Sequence, residues 1–200
     1  ISQWREMTVD LTITPQDVSI SNVRQILFAG GKWVGNYISP ELEVPEAHRA
    51  VLMQVGAYAR DHGHVADEGI NCGIDYFVSG DEVIVTEINA RWTGGLFPAE
   101  FLRRLAITQP AVAFFDMVPV AQSTAVLTFQ REHLFPAAGD AFAYVPMGFT
   151  PFAMEIEGAE RYFVWQIVVG DFAAFVEAKR QKLPEDTFPT AELILQEALS

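Results

Sequence analysis

The stretch from Gly73 to Arg91 constrains this chain most, because two apolar, β-branched runs flank the polar Ser79-Gly80-Asp81-Glu82, the pattern of an antiparallel β-hairpin. On the second strand, alternation puts Glu87, Asn89 and Arg91 on one face and Ile84, Thr86 and Ile88 on the other. The face taken by Asp75 depends on the turn. A two-residue loop, Gly80-Asp81, would set Asp75 opposite Thr86 on the apolar side and bury an unpaired carboxylate. A three-residue loop, Gly80-Asp81-Glu82, pairs Ser79 with Val83, Phe77 with Val85 and Asp75 with Glu87. The odd loop is therefore expected, and a β-bulge would serve the same end. Ile74, Ile84 and Ile88 are then expected on the covered side. Carboxylates paired across a ladder stand roughly 5 Å apart at Cβ, and a divalent cation between them relieves their repulsion. With the Asn89 amide oxygen they make an all-oxygen donor set, which suits Mg²⁺ or Mn²⁺ rather than Zn²⁺. Arg91, further along, could offer a bidentate fork to a phosphoryl or carboxylate oxygen.

Glu87-x-Asn89-x-Arg91, with Asp75 twelve positions before Glu87 in Gly73-Ile74-Asp75 and Thr93-Gly94-Gly95 just after, resembles the signature of the ATP-grasp superfamily. The resemblance implies ATP and Mg²⁺ (or Mn²⁺) as cofactors. It makes Asp75, Glu87 and Asn89 the metal ligands, Arg91 the catalytic group that steadies the transferred phosphoryl, and Phe77 the apolar residue against the adenine. Gly94 and Gly95 would lie near the acceptor substrate. Gln25, on a strand expected to line the phosphate groove, is a further candidate nucleotide contact. The activity implied is that of a ligase joining a small-molecule carboxylate to an amine through an acyl phosphate, and Glu87-Ile88-Asn89-Ala90-Arg91 together with Thr93-Gly94-Gly95 looks most like the amino-acid and peptide branch. A carboxylase or carbamoyl-phosphate branch is the enzymatic alternative. A lobe that holds a nucleotide or partner without turnover is the non-catalytic one.

A formal net charge of −13 over 200 residues argues against nucleic acid and anionic membrane as partners, since both attract basic surfaces. Half the residues are apolar and fifteen are Phe, enough for a sizeable core. Cys72 is the single cysteine, so no internal disulfide forms, and beside the Asp75 strand it reads as a small buried hydrophobe. The most apolar run, Ala111 to Ala121, is broken by Asp116 and Pro119, too short and too polar to cross a bilayer. A soluble, cytoplasmic protein is expected. Oligomeric state stays open, a homodimer being one option.

The expected class is α+β: an antiparallel sheet with helices on one face over residues 1–106, then a small α+β appendage over 107–200. Met7–Thr14 alternates as a strand and Val18–Phe28 returns as one or two more before Gly30-Gly31. A loop from Gly35 to Pro40 leads to a helix after Pro45 that carries Ala47, Val51, Val55 and Tyr58 at helical spacing and stops near Gly63. Pro98–Leu105 reads as a short helix. Ala111–Phe115, Ser123–Phe129 and Tyr162–Val169 read as strands, Asp171 as the N-cap of a helix through Lys182, and Thr190 as the cap of a last helix. His62-Gly63-His64 with Asp67 and Glu68 reads as a solvated helix end rather than a metal site. Lys32, Trp33, Arg5, Glu6, Trp92 and Phe97 are weaker neighbours of the same region. The family's small lobe, with its phosphate-binding lysine and glycine-rich loop, normally lies upstream of such a segment. By that resemblance the missing N-terminal part of the same enzyme is an expected partner, and the isolated chain should fold yet bind ATP weakly and lack activity.

Overall fold

β1 (Arg5–Ile13) sets the pattern of the first half of the chain, because its alternate residues Met7, Val9, Leu11 and Ile13 are all buried. The computed structural model describes residues 4–136, 139–156 and 158–199. They form two compact units, one of residues 1–26 with 38–108 and one of residues 27–37 with 109–200. The chain is α+β, as expected, with antiparallel ladders throughout its named strand pairs.

In the first unit β1 is central. It pairs on one side with β4 (Ile70–Ser79), which pairs in turn with β5 (Glu82–Asn89), and on the other side with β2 (Val18–Ala29). Cys72, Ile74, Tyr76 and Val78 of β4 share a face with the β1 apolar set and make one core with Val18, Val44 and Leu52. Free and buried, Cys72 is the small core residue expected. α1 (Glu46–Asp61) covers this face. Its buried stripe is His48, Leu52, Gly56 and Ala59, not the expected one: Ala47, Val51 and Tyr58 are exposed and Val55 half-buried. The helix is turned by one position because Gly56 lets it lie almost on the sheet. A Cβ at Gly56 would stand 2.5 Å from Val18 and 2.7 Å from Leu11. α2 (Leu96–Arg104) follows the hairpin and starts two residues before the expected Pro98.

In the second unit the strand order is β3 (Lys32–Ile38), β6 (Ala111–Pro119), β9 (Ala159–Gly170), β7 (Phe142–Phe149), with β8 (Met154–Ile156) also on β9. β3 occupies part of the stretch expected as a loop. Gly30 and Gly31, both at positive φ (56° and 71°), make the tight turn that returns the chain from β2 into β3. Ser123–Phe129, expected as a strand, lies in α3 (Ser123–Glu132). Its β-branched residues suggest extension, but Val126, Phe129 and Gln130 fall on one helical face and are the ones buried. α4 (Phe172–Lys182) ends where expected, and Asp171 accepts a hydrogen bond from the Ala174 N–H at 3.0 Å as its N-cap. α5 (Pro189–Leu193) is not capped by Thr190. Phe188 holds the cap position at φ 54°, and Asp116 of β6 accepts hydrogen bonds from the Thr190 and Ala191 N–H groups at 3.0 and 2.9 Å. The cap is supplied from 74 residues away in sequence. Phe114, Val126, Phe129, Phe142, Phe175 and Phe188 centre the core beneath these helices.

Candidate functional site: the acidic hairpin face

The hairpin turn is the two-residue loop Gly80-Asp81, so the expected odd loop is not formed. Ser79 pairs with Glu82, Val78 with Val83, Phe77 with Ile84 and Tyr76 with Val85. A bulge then shifts the register, and Asp75 pairs with Glu87, Ile74 with Ile88 and Gly73 with Asn89. Thr86 is the extra residue, and its hydroxyl donates to the Asp75 carbonyl at 2.9 Å. Gly80 adopts φ 58°, a left-handed angle that favours glycine, and buried His48 of α1 donates from Nε2 to the Gly80 carbonyl at 2.9 Å. The bulge thus delivers the pairing that charge requires while leaving the tightest turn in place.

It also moves Ile84. Because the alternation is broken at Thr86, Ile84 shares the face of Phe77 and Asp75, and it is exposed rather than covered. Ile88 keeps to the face of Ile74 but is also exposed, on the outer strand. Ile74 alone of the three is buried as expected.

Register fixes what else shares the acidic face. β1 contributes Glu6 opposite Phe77, Thr8 opposite Asp75 and Asp10 opposite Gly73, and β2 contributes Arg24 opposite Thr8. Gln25, the other nucleotide candidate, pairs with buried Met7 and lies on the opposite face, away from Asp75 and Glu87. Arg5 lies with Val78 on that face too, so Arg5 and Glu6 are separated. Asn89, buried, donates from Nδ2 to Asp75 Oδ2 at 3.2 Å, while Glu87 is exposed. Burial is the main reason the Asp75 carboxyl titrates above its ordinary range; Glu87 adds to the rise, while Thr8 and Arg24 oppose it. Glu6 is raised as well, by burial first and then by Asp75.

β5 ends at Asn89, where the Arg91 N–H donates to the Asn89 carbonyl at 2.7 Å. Arg91 therefore stands past the ladder rather than on it, exposed, its Nη1 3.4 Å from the Trp92 carbonyl. Gly94 is exposed and Gly95 sits at the N-terminus of α2, whose Leu96 N–H donates to the Thr93 carbonyl at 3.2 Å. Trp92 and Phe97 are exposed. His62 and His64 donate to the carbonyls of Tyr58 and Asn71. Among the described residues no three His, Cys, Asp or Glu side chains gather as a metal cluster.

A buried polar group beside this face was not foreseen. Arg24 and Asp10, both fully buried, form an ion pair at 2.6 Å. Asn71 and Thr93 donate to Asp10 Oδ1 at 2.9 and 3.3 Å. The alternating Thr8, Asp10 and Thr12 of β1 mark a polar face in sequence, but only register brings Arg24 to it.

The donor set fits a hard divalent cation. Asp75 and Glu87 face each other as like charges, Asn89 spends its nitrogen on Asp75 and keeps its oxygen, and among the described residues paired on this face none carries sulfur or imidazole.

No protein-family model matches the chain, and no curated protein matches it by sequence. Among solved structures the chain is similar to the phosphoribosylaminoimidazole carboxylase ATPase subunit from Aquifex aeolicus, at 10% identity over 88% of this chain and 54% of that one, with a TM-score of 0.50. It is similar also to N5-carboxyaminoimidazole ribonucleotide synthetase from Thermus thermophilus, at 12% identity over 90% of this chain and 51% of that one, with a TM-score of 0.50. At such identity the likeness is one of fold, and the chain spans about half the length of these proteins.

Proposed function

From the premise that this chain has the fold of the ATP-grasp superfamily, we propose that it is the metal- and phosphate-holding part of an ATP-dependent ligase that joins a carboxylate to an amine through an acyl phosphate. One observation carries the reading: Asp75 is set squarely against Glu87 in a ladder that needs a bulge to put it there. Without a cation that arrangement costs free energy, because burial and a like charge both act against the ionised Asp75.

Each residue then has a physical task. Asp75, Glu87 and the Asn89 amide oxygen hold Mg²⁺ or Mn²⁺. When bound, the metal neutralises charge on the phosphates of ATP. Arg91, exposed past the strand end, gives its guanidinium to the transferring phosphoryl or to the substrate carboxylate. Phe77 and Ile84, side by side on the same face, offer an apolar surface to the base. Gly94 keeps the chain slim beside the acceptor. Gln25 lies on the wrong face for the nucleotide role first expected of it.

A second reading, the carboxylase branch, is favoured by the names of the two similar structures. The two branches separate on substrate. Intact protein with ATP, Mg²⁺ and either paired amino acids or bicarbonate with an amine should release ADP with one set only, and mass spectrometry identifies the product. Glu87→Gln should abolish that release. A normal rate in this variant at saturating Mg²⁺ rules the ligase reading out.

A further inference from the structure

We propose that the buried Asp10–Arg24 ion pair is a positioning device: through Asn71 and Thr93 it holds the segment Arg91-Trp92-Thr93 and so presents Arg91 at the end of the metal-binding strand. This rests on the ligase reading, and it assigns a role to four residues that touch neither metal nor nucleotide in that reading.

Connectivity comes first. Asp10 Oδ1 accepts from Asn71 Nδ2 at 2.9 Å and from Thr93 Oγ1 at 3.3 Å. Arg24 Nη2 approaches Asp10 Oδ2 at 2.6 Å and donates to Thr93 Oγ1 at 3.1 Å, and its Nη1 donates to Asn22 Oδ1 at 2.5 Å. Asn71 Nδ2 also donates to the Arg91 carbonyl at 3.1 Å. Three strands, β1, β2 and β4, thus grip both ends of a three-residue segment that lies past the β5 ladder. Gly73 completes the grip, since a Cβ there would stand 2.2 Å from the Thr93 methyl, and a chain without one lets Thr93 settle on β4.

Energetics argue for placement rather than stability. A fully buried ion pair does little more for stability than well-packed apolar residues, and often less. This one also leaves Arg24 Nε buried without a hydrogen-bond partner, a further cost. What it supplies that an apolar cluster cannot is direction: charge-assisted bonds of fixed geometry to Thr93 and Asn71. The ladder positions Glu87 and Asn89. Arg91 has no ladder, and the ion pair takes its place.

The test uses the intact protein with Thr93→Val, Thr93→Ser, Arg91→Ala and the double variant Arg91→Ala/Thr93→Val. Thr93→Val keeps the shape and removes the hydroxyl, so it avoids the unfolding that loss of Asp10 or Arg24 would risk. Amide hydrogen exchange reports the segment itself, and calorimetry with Mn²⁺ alone and with Mn²⁺·ATP reports presentation. Thr93→Val should speed exchange at the hydrogen-bonded amides that flank the segment, Arg91 and Leu96, leave Mn²⁺ affinity within about twofold, and weaken Mn²⁺·ATP about tenfold, the worth of one charge-assisted bond. Arg91→Ala should weaken Mn²⁺·ATP by as much, the double variant no more, and Thr93→Ser should restore wild-type values. Unchanged exchange in Thr93→Val overturns the proposal, as does an additive loss in the double variant. A wild type that binds no Mn²⁺ removes the ligase reading instead, and the exchange rates then decide whether Thr93 holds the segment.

Discussion

Two buried or half-buried aspartates, one in each unit, have the same perturbation and opposite surroundings. Asp116 in β6 is almost completely buried, yet three backbone N–H groups, from Met117, Thr190 and Ala191, donate to its two oxygens. Asp75 in β4 accepts from the Asn89 amide at 3.2 Å, has the Thr8 hydroxyl beside it, receives no backbone N–H among the described hydrogen bonds, and faces the carboxylate of Glu87. Burial raises both: Asp116 to about 7 despite its donors, and Asp75 with help from Glu87. A carboxylate that the chain itself satisfies is a structural part, here the cap of α5. One that the chain sets against its own kind suits the cation proposed above.

The largest effect expected from this contrast is at Asp116. Asp116→Ala leaves the Thr190 and Ala191 N–H groups buried without partners and should cost about 3 kcal/mol or more in urea unfolding. A loss below about 1 kcal/mol would place Asp116 among ordinary core residues. Its pH dependence sharpens the point. An unfolded aspartate titrates near 3.9, and the folded group holds its proton to about 7. Between those values the native state binds more protons than the unfolded one, so this group's contribution to stability falls as pH rises from about 4 to about 7 and is level above. Chemical denaturation of wild type against Asp116→Asn should show that slope in the first and not in the second.

Gly73→Ala comes next. The added methyl meets the Thr93 side chain and should cost about 1–3 kcal/mol by overpacking, whereas an alanine at Gly148 of β7 meets nothing within 4 Å. Equal effects at the two glycines would mean that Thr93 is free to move aside. Smaller again, and opposite in sign, is Asp75→Asn. Removing one of two facing carboxylates should raise the stability of the metal-free protein by up to about 1 kcal/mol, measured by thermal unfolding in the presence of chelator. A destabilised variant would mean that the pair is held by the protein's own cations.

The hairpin was legible because its turn residues and its polar row stand in plain alternation, and because burying an unpaired Asp75 is too costly to be an option. The device that met this demand was not legible. A three-residue loop and a two-residue loop with a bulge at Thr86 give the same pairing of Asp75 with Glu87 and differ only for Tyr76 to Ser79. The stripe of α1 misled for another reason: Ala47, Val51 and Tyr58 are the apolar residues, but packing chose Gly56, which has no side chain to signal burial. Arg24 was beyond reach, since an arginine in a strand reads as solvated until its neighbour across the ladder is known. Nor was the task of Asp116 legible, since two of its three partners, Thr190 and Ala191, lie more than seventy residues on.

If Asp75, Glu87 and Asn89 form a site for a divalent cation, as proposed, Mn²⁺ titration followed by the paramagnetic resonance of the free ion reports it. Wild-type protein should take up Mn²⁺ saturably, and Glu87→Gln, whose side chain is exposed and whose stability should change by less than about 0.5 kcal/mol, should lose affinity by about tenfold or more. No saturable uptake by the wild type, or equal uptake by both proteins, would contradict it.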